Sequence, residues 1–150
     1  MQDCAIRPFA PSDQEAVRRL VLDGLGEHFG VIDESRNPDL DDIMASYVAR
    51  GGLFVVAECS GQLAATGALM EEGEGIGRIV RMSVAPRYRR RGLARSIVAH
   101  LMETARLRGY CRLLVETNDD WTDAIALYRA CGFGGESQRD GEVHLSVDLD

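Results

Sequence analysis

The sequence predicts a single α/β (α+β) domain occupying residues 1–150, and three observations carry that expectation. A chain of 150 residues buries about two-thirds of the surface its unfolded form exposes, so one core is enough. Apolar residues make up 45% of the chain and charged residues 27%, which is ordinary globular usage, and no repeat or low-complexity tract interrupts it. A segment of period two over residues 78–85 runs straight into one of period 3.6 over residues 92–108, the pattern of a strand followed by a crossover helix.

Taken in order, Ile6 to Phe9 reads as a first strand. Ser12, with Glu15 three residues on, has capping-box spacing and opens a helix carrying Val17, Leu20 and Val21. After Gly24 the segment up to Arg36 has glycines and mixed polarity without a period, and reads as a loop. Asn37-Pro38 or Asp39 starts a second helix through Ile43, Met44 and Tyr47, because proline is tolerated in a first helical turn. Gly51-Gly52 ends it. Leu53 to Cys59 and Leu63 to Leu69 are strand-like runs joined at Ser60-Gly61-Gln62 as a hairpin, and Glu72 to Gly77 makes the next turn. Arg78 to Ala85 then alternates Ile79, Arg81 and Ser83 against Val80, Met82 and Val84, ending at Pro86. From Gly92 to Arg108 the residues Leu93, Ile97, Val98, Leu101, Met102 and Ala105 recur at helical spacing, and Gly109 is placed to stop the helix. Leu113 to Val115 begins another strand, Asp120 with Asp123 caps a helix through Ala130, and Gly132-Phe133 turns the chain into two final strands.

Charge is unevenly spread. Residues 78–95 hold seven arginines and no acid, which leaves ten arginines against 24 acids in the rest of a chain whose net charge is −7. A basic patch therefore sits on an acidic body of pI about 5.0. With Tyr88 the one interleaved aromatic and no recognised binding motif, this distribution argues against a nucleic-acid partner. The longest apolar run, residues 53–57, is too short to span a bilayer, and Met1-Gln2-Asp3-Cys4 lacks a basic-then-apolar leader pattern; a soluble, cytoplasmic protein with no membrane partner is expected. Cys4, Cys59, Cys111 and Cys131 are scattered, and read as reduced, half-buried core residues. With His28, His100 and His144 they show no metal spacing, so no metal is expected.

The informative stretch is Val84-Ala85-Pro86-Arg87-Tyr88-Arg89-Arg90-Arg91-Gly92-Leu93-Ala94. It stacks arginines at a helix start, where the helix dipole and unpartnered N–H groups already carry positive charge and each added cation is unfavourable by about 0.3–1 kcal/mol. A bound anion reverses that sign: N–H groups point at it, Gly92 lets the backbone come close, and Ala94 keeps the next position small.

These residues resemble a known family. Arg89-Arg90-Arg91-Gly92-Leu93-Ala94 is similar to the Arg/Gln-x-x-Gly-x-Gly/Ala loop of the GNAT acetyltransferases, which use acetyl-coenzyme A, and Ala126-Leu127-Tyr128-Arg129-Ala130-Cys131-Gly132-Phe133 is similar to their Leu-Tyr-x-x-x-Gly-Phe signature. The resemblance implies one GNAT-like domain: a mixed, mostly antiparallel sheet, splayed between two central parallel strands at residues 78–85 and 113–117 and flanked by about four helices, with acetyl-coenzyme A as cosubstrate in the gap. It implies that N–H groups of Arg91, Gly92, Leu93, Ala94 and Arg95 hold the pyrophosphate, that side chains of Arg89 and Arg90 add phosphate contacts, and that the main chain of Met82 and Val84 bonds the pantetheine arm and polarises the thioester. Tyr128 matches the tyrosine that protonates the departing thiolate. Similar enzymes are often homodimers.

Two positions depart from the family pattern. Arg78 or its neighbourhood stands where the family often places a basic glutamate, and Trp121 stands seven residues before the tyrosine where many relatives have asparagine, the nearest being Asn118, a coenzyme A contact candidate. An alkyl ammonium with pKa near 10 needs a base before it can attack a thioester. Glu71, Glu72, Glu27 and His28 are the candidates, with a water relay as another route. The leading expectation is acetyl transfer to a primary amine of a small molecule or protein, by direct attack in a ternary complex. A coenzyme A-binding sensor without catalysis, and a nucleic-acid-binding module using the arginine cluster, are the alternatives.

Overall fold

The computed structural model describes residues 4–30 and 36–149. Seven strands form one sheet: β1 (Cys4–Pro8), β2 (Leu53–Cys59), β3 (Gln62–Gly73), β4 (Ile76–Val84), β5 (Arg112–Asn118), β6 (Gly134–Arg139) and β7 (Glu142–Asp148), in the order β1-β2-β3-β4-β5-β7-β6. Every neighbouring pair is antiparallel except β4 and β5. That one parallel pair needs a crossover, supplied by α2 (Leu93–Leu107).

Helices cover both faces. On one, α1 (Gln14–Phe29) and the helical segment Pro38–Asp41 and Met44–Val48 bury Val17, Val21, Leu40, Ile43 and Tyr47 against Phe54, Val56 and Ala68. On the other, α2 and α3 (Thr122–Ala130) bury Ile97, Leu101, Ile125 and Tyr128 against Leu69, Ile79, Leu113, Val115 and Leu145. Strand alternation feeds both layers, and each fully buried aliphatic side chain contributes about 1.5–3 kcal/mol.

The structure departs from the sequence reading at six places. The segment after Gly24 is helix rather than loop as far as Phe29, closed by Gly30 at φ 82°. Gly24 eases a close crossing there, since a Cβ on it would lie 3.1 Å from Ser83 Oγ where α1 crosses β4. The remaining part of that reading, residues 31–35, lies outside the described residues. Ser12 makes no cap; the carboxylate that accepts a main-chain N–H is Asp13, from Ala10 at 2.8 Å. Asp120 does not cap α3 either, whose N-cap is Trp121 with no side-chain cap bond. The second helix is one 3-10 turn followed by one π-type turn.

The fifth departure is a disulfide. Cys4 and Cys59 are directly opposed in the β1–β2 register and are joined, so the expectation of four reduced cysteines fails for this pair. Register, which brings together positions 55 apart in sequence, is what the spacing of four scattered cysteines could not reveal. Cys111 and Cys131 are free thiols.

β4 also breaks its alternation. The register with β3 slips between Thr66 and Ala68, and Arg81 adopts φ 56°, so one extra residue bulges out. Arg81 then lies on the α1 side beside Val80, where it donates to Asp39, while Met82 turns to the α2 side with Ile79. The expected grouping of Ile79 with Arg81 and Ser83 therefore fails at the bulge.

Candidate active site

β4 and β5 are paired at Ile76↔Arg112, Gly77↔Leu113 and Arg78↔Leu114, and nowhere beyond. Above Arg78, β4 stays with β3 while β5 stays with β7. Two strand edges therefore face each other inside the sheet, each presenting main-chain groups that call for a partner.

The bulge aims one of those groups. Thr66 Oγ1 donates to the Arg81 carbonyl at 2.8 Å, which points that carbonyl towards β3. The Arg81–Met82 peptide is trans, so the Met82 N–H points the opposite way, into the gap. By the same argument Ala85 N–H, bonded to the Ala64 carbonyl at 2.8 Å, turns the Val84 carbonyl away from β3. Gly67, opposite the bulge, has no room for a side chain, because a Cβ would lie 2.5 Å from Ile97 Cγ2 and 2.7 Å from Met82 Sδ.

The start of α2 lies just past the top of β4. Gly92 has φ 80°, a conformation suited to glycine, and nothing stands within 4 Å of where its Cβ would be. The first helical bond runs from Ser96 N–H to the Gly92 carbonyl at 3.0 Å. Among the described residues no side chain caps the helix, and the N–H groups of Gly92, Leu93, Ala94 and Arg95 have no helix carbonyl ahead of them. Open space beside free N–H groups fits a diphosphate.

Arginines around this loop are differently employed. The Arg87 and Arg91 guanidinium groups lie over the Tyr88 ring at 5.3 and 5.7 Å. Arg89 is held by Glu27 of α1 at 2.6 and 2.9 Å and donates to the Val84 carbonyl at 3.2 Å. The hydrogen bond from Arg89 keeps the Glu27 carboxyl below the usual range. Arg90 adopts φ 62°, and Arg95 reaches the Ala130 carbonyl at 3.5 Å. A groove of about 350 Å³ between α1 and this loop is lined by Leu20, Gly24, Glu27, Val84, Pro86 and Arg89.

Across the gap, Tyr128 is buried on α3 with its ring edge-on to Phe133 at 5.7 Å. The Gly-Phe spacing is local geometry: Gly132, at φ 100°, reverses the chain so that Phe133 N–H bonds the Tyr128 carbonyl at 3.0 Å and its ring packs back. Burial, with a smaller contribution from Cys131, raises the phenol well above its ordinary value. It stays protonated, as an acid awaiting a strong base must. On the same side of β5 the Thr117 hydroxyl is buried without a hydrogen-bond partner among the described residues. Asn118 is one residue out of phase, on the α1 face with Leu114 and Glu116.

That α1 face carries a row of charges. Glu72 holds Arg78 at 2.8 Å, Arg78 reaches Glu116 at 3.2 Å, Glu116 lies 3.3 Å from His144 Nδ1, and Glu142 lies 3.8 Å from His144 Nε2. Glu116, Glu142 and His144 bring three ligand-type atoms within 4.8 Å of one another, and Arg78 supplies the positive charge beside them. Glu72 is held below the usual carboxylate range by its bond from Arg78. Glu71 is exposed beside Gly77 at the closed end of the parting. Glu116, two residues above the last β4–β5 pair, is the carboxylate that sequence reading missed. Its signal was an acid alternating with Leu113 and Val115 on the strand that faces the gap. His28 closes the upper end, its ring 4.4 Å from Trp121 and its Nε2 3.5 Å from Asp120.

Residues 18–133 match the Acetyltransferase (GNAT) family. N-acetyltransferase 8 of Rattus norvegicus is 34% identical over 115 residues, 73% of this chain and 50% of that protein. The uncharacterized N-acetyltransferase YjgM of Escherichia coli strain K12 is 28% identical over 138 residues, 88% of this chain and 83% of that protein. The chain spans about half the length of the rat relatives it matches. Among solved structures, an acetyltransferase of the GNAT family from Staphylococcus aureus Mu50 superposes with TM-score 0.91 at 21% identity, covering 99% of this chain and 100% of that one. The PaiA N-acetyltransferase of Thermoplasma acidophilum, solved in complex with coenzyme A, superposes with TM-score 0.86 at 12% identity over 98% of this chain and 99% of its own. The fold is shared with these structures, and the match over residues 18–133 identifies the chain itself as a member of the GNAT acetyltransferase family.

Proposed function

We propose that the protein transfers an acetyl group from acetyl-coenzyme A to a primary amine of a small molecule or protein, by direct attack within a ternary complex. The observation that carries this is the Met82 N–H turned into the parting of β4 and β5 beside the uncapped start of α2. One end holds a diphosphate, the other a carbonyl oxygen.

Each group has a chemical task. N–H groups of Gly92 to Arg95 bond the pyrophosphate, each charge-assisted bond being worth about 1.5–3 kcal/mol. The Thr117 hydroxyl bonds the pantetheine arm, which satisfies its buried oxygen. Glu116 takes a proton from the ammonium on the α1 side and passes it towards His144, 3.3 Å away. The freed amine attacks the thioester carbon, and the Met82 N–H stabilises the tetrahedral oxyanion, a role worth about 3 kcal/mol in acyl transfer. The carbon–sulfur bond then breaks: Tyr128, on the opposite face, gives its proton to the thiolate, the attacking nitrogen loses its second proton through Glu116 and His144 to solvent, and the phenolate is reprotonated from solvent. Base and acid thus sit on opposite sides of the gap, where the incoming amine and the departing thiol need them.

The test is calorimetry with acetyl-coenzyme A followed by thiol release across a panel of amines. The expected result is saturable binding and thiol release that depends on an amine. Binding without release for every amine would make the protein a coenzyme A sensor.

A further inference from the structure

Trp121 stands at the N-cap of α3, just past the end of β5, and its indole is an anomaly. The Nε1–H is buried with no hydrogen-bond partner among the described residues. An indole N–H can only donate, so the group that completes it must bring a lone pair. The ring reaches the end of α1, where His28 stands edge-on at 4.4 Å and Phe29 at 5.9 Å. Phe29 is 57% exposed, one of two large apolar side chains so exposed among the described residues. The contacts to α1 put Trp121 on the face opposite α2, which is the amine side of the gap in the mechanism above.

Resting on that reading, we propose that the acceptor is an α-amino carbonyl compound with an apolar side chain, an aminoacyl amide or the α-amine of a peptide. The acceptor's carbonyl oxygen takes the Trp121 N–H, its side chain lies on Phe29 and Trp121, and its amine points down towards Glu116. A neutral carbonyl suits this place better than a carboxylate. Asp119 and Asp120 precede Trp121 in the same turn, and Glu116 and Glu142 lie on the adjoining sheet face, so a second anion would be repelled. The amine itself enters as a cation and is drawn by the same acids.

The experiment compares phenylalanine amide with 2-phenylethylamine, which lacks the carbonyl group, in the wild type and in Trp121→Phe, which keeps an aromatic ring and removes the N–H. The quantity read is the ratio of kcat/KM for the two amines, because the change in that ratio on substitution cancels their different basicities. Trp121→Phe is expected to lower the ratio at least tenfold, with the acetyl-coenzyme A dissociation constant from calorimetry moving less than threefold. An unchanged ratio overturns the proposal, and so does a tenfold loss of acetyl-coenzyme A affinity, which would assign the N–H to the cosubstrate. Phe29→Ser is the second variant: it is expected to narrow the preference for phenylalanine amide over glycine amide at least fivefold, and an unaltered preference counts against the apolar wall. Acetyl-coenzyme A binding with no turnover of any amine would overturn the transfer reading itself, a result distinct from either.

Discussion

Thr66 and Arg81 are joined by a hydrogen bond from a fully buried hydroxyl to a carbonyl at 2.8 Å, and that bond sets the direction of the next N–H in β4. A non-glycine residue at φ 56° costs about 1–3 kcal/mol. Arg81 is kept there by Thr66 at its carbonyl and by Asp39 at its guanidinium, at 2.6 and 2.9 Å. Thr66→Val keeps the volume and removes the donor. It is expected to destabilise the fold by about 1–2 kcal/mol and to lower kcat about tenfold with little change in KM for acetyl-coenzyme A. Denaturant melts and steady-state kinetics measure both; an unchanged kcat would show that the bulge does not orient the Met82 N–H.

The Asp39 anchor titrates. Burial alone would raise its carboxyl, but the bonds from Arg81 and from Tyr47 outweigh that and hold it below its ordinary value of 3.8. Burial, reinforced by Asp39, pushes the Tyr47 phenol up to about 12, so it remains a donor. A carboxyl depressed on folding stabilises fully above its unfolded value and loses that contribution as pH falls through its folded one. Stability attributable to Asp39 is therefore intact at pH 5 and above and declines below about pH 4. Asp39→Asn should cost about 2 kcal/mol at pH 7, with a difference from wild type that shrinks below pH 4. A difference that stays constant to pH 3 would contradict the assignment.

Tyr128→Phe should leave the fold in place, because the ring keeps its contact with Phe133. The turnover is expected to fall about 10²-fold or more, the ordinary worth of a general acid. Since burial raises the phenol, the wild-type rate should show no loss from Tyr128 ionisation up to pH 9. A Phe variant with wild-type kcat would remove Tyr128 from the chemistry.

Gly92→Asp tests the anion site from the other side. A carboxylate at the start of α2 would complement the helix dipole but occupy the diphosphate position, and φ 80° suits a side chain poorly. Acetyl-coenzyme A affinity is expected to fall at least tenfold by calorimetry while the far-ultraviolet spectrum stays native. Retained affinity would place the diphosphate elsewhere.

The Cys4–Cys59 bond closes a loop across 55 positions. Cross-links of that reach stabilise by about 2–4 kcal/mol through the unfolded chain. Reductant is expected to lower the melting temperature of the wild type by several degrees and to leave Cys4→Ser unaffected. Equal responses of the two proteins would refute a native cross-link.

What could be read from the chain was local. The α2 start and the Leu-Tyr-x-x-x-Gly-Phe turn depend on neighbours within a few residues, Gly92 at its φ and Gly132 bringing Phe133 back onto Tyr128, and both were legible. The Arg81 bulge was not, because it is fixed by Thr66 and by Asp39, which lies 42 positions away. Strand alternation taken alone put Met82 on the wrong face. Glu116 and His144 meet through β5–β7 register, and Cys4 and Cys59 through that of β1–β2; neither pairing leaves a trace in spacing. Gly24 misled for a different reason: it reads as a helix breaker, yet it serves the close crossing of α1 over Ser83.

The most direct measurement is a crystal structure with acetyl-coenzyme A bound. The account requires the diphosphate within hydrogen-bond distance of the N–H groups of Gly92 to Arg95, the thioester oxygen on the Met82 N–H, and the sulfur within reach of the Tyr128 hydroxyl. Density for the cosubstrate outside the β4–β5 parting, or a thioester oxygen turned away from Met82, would contradict it.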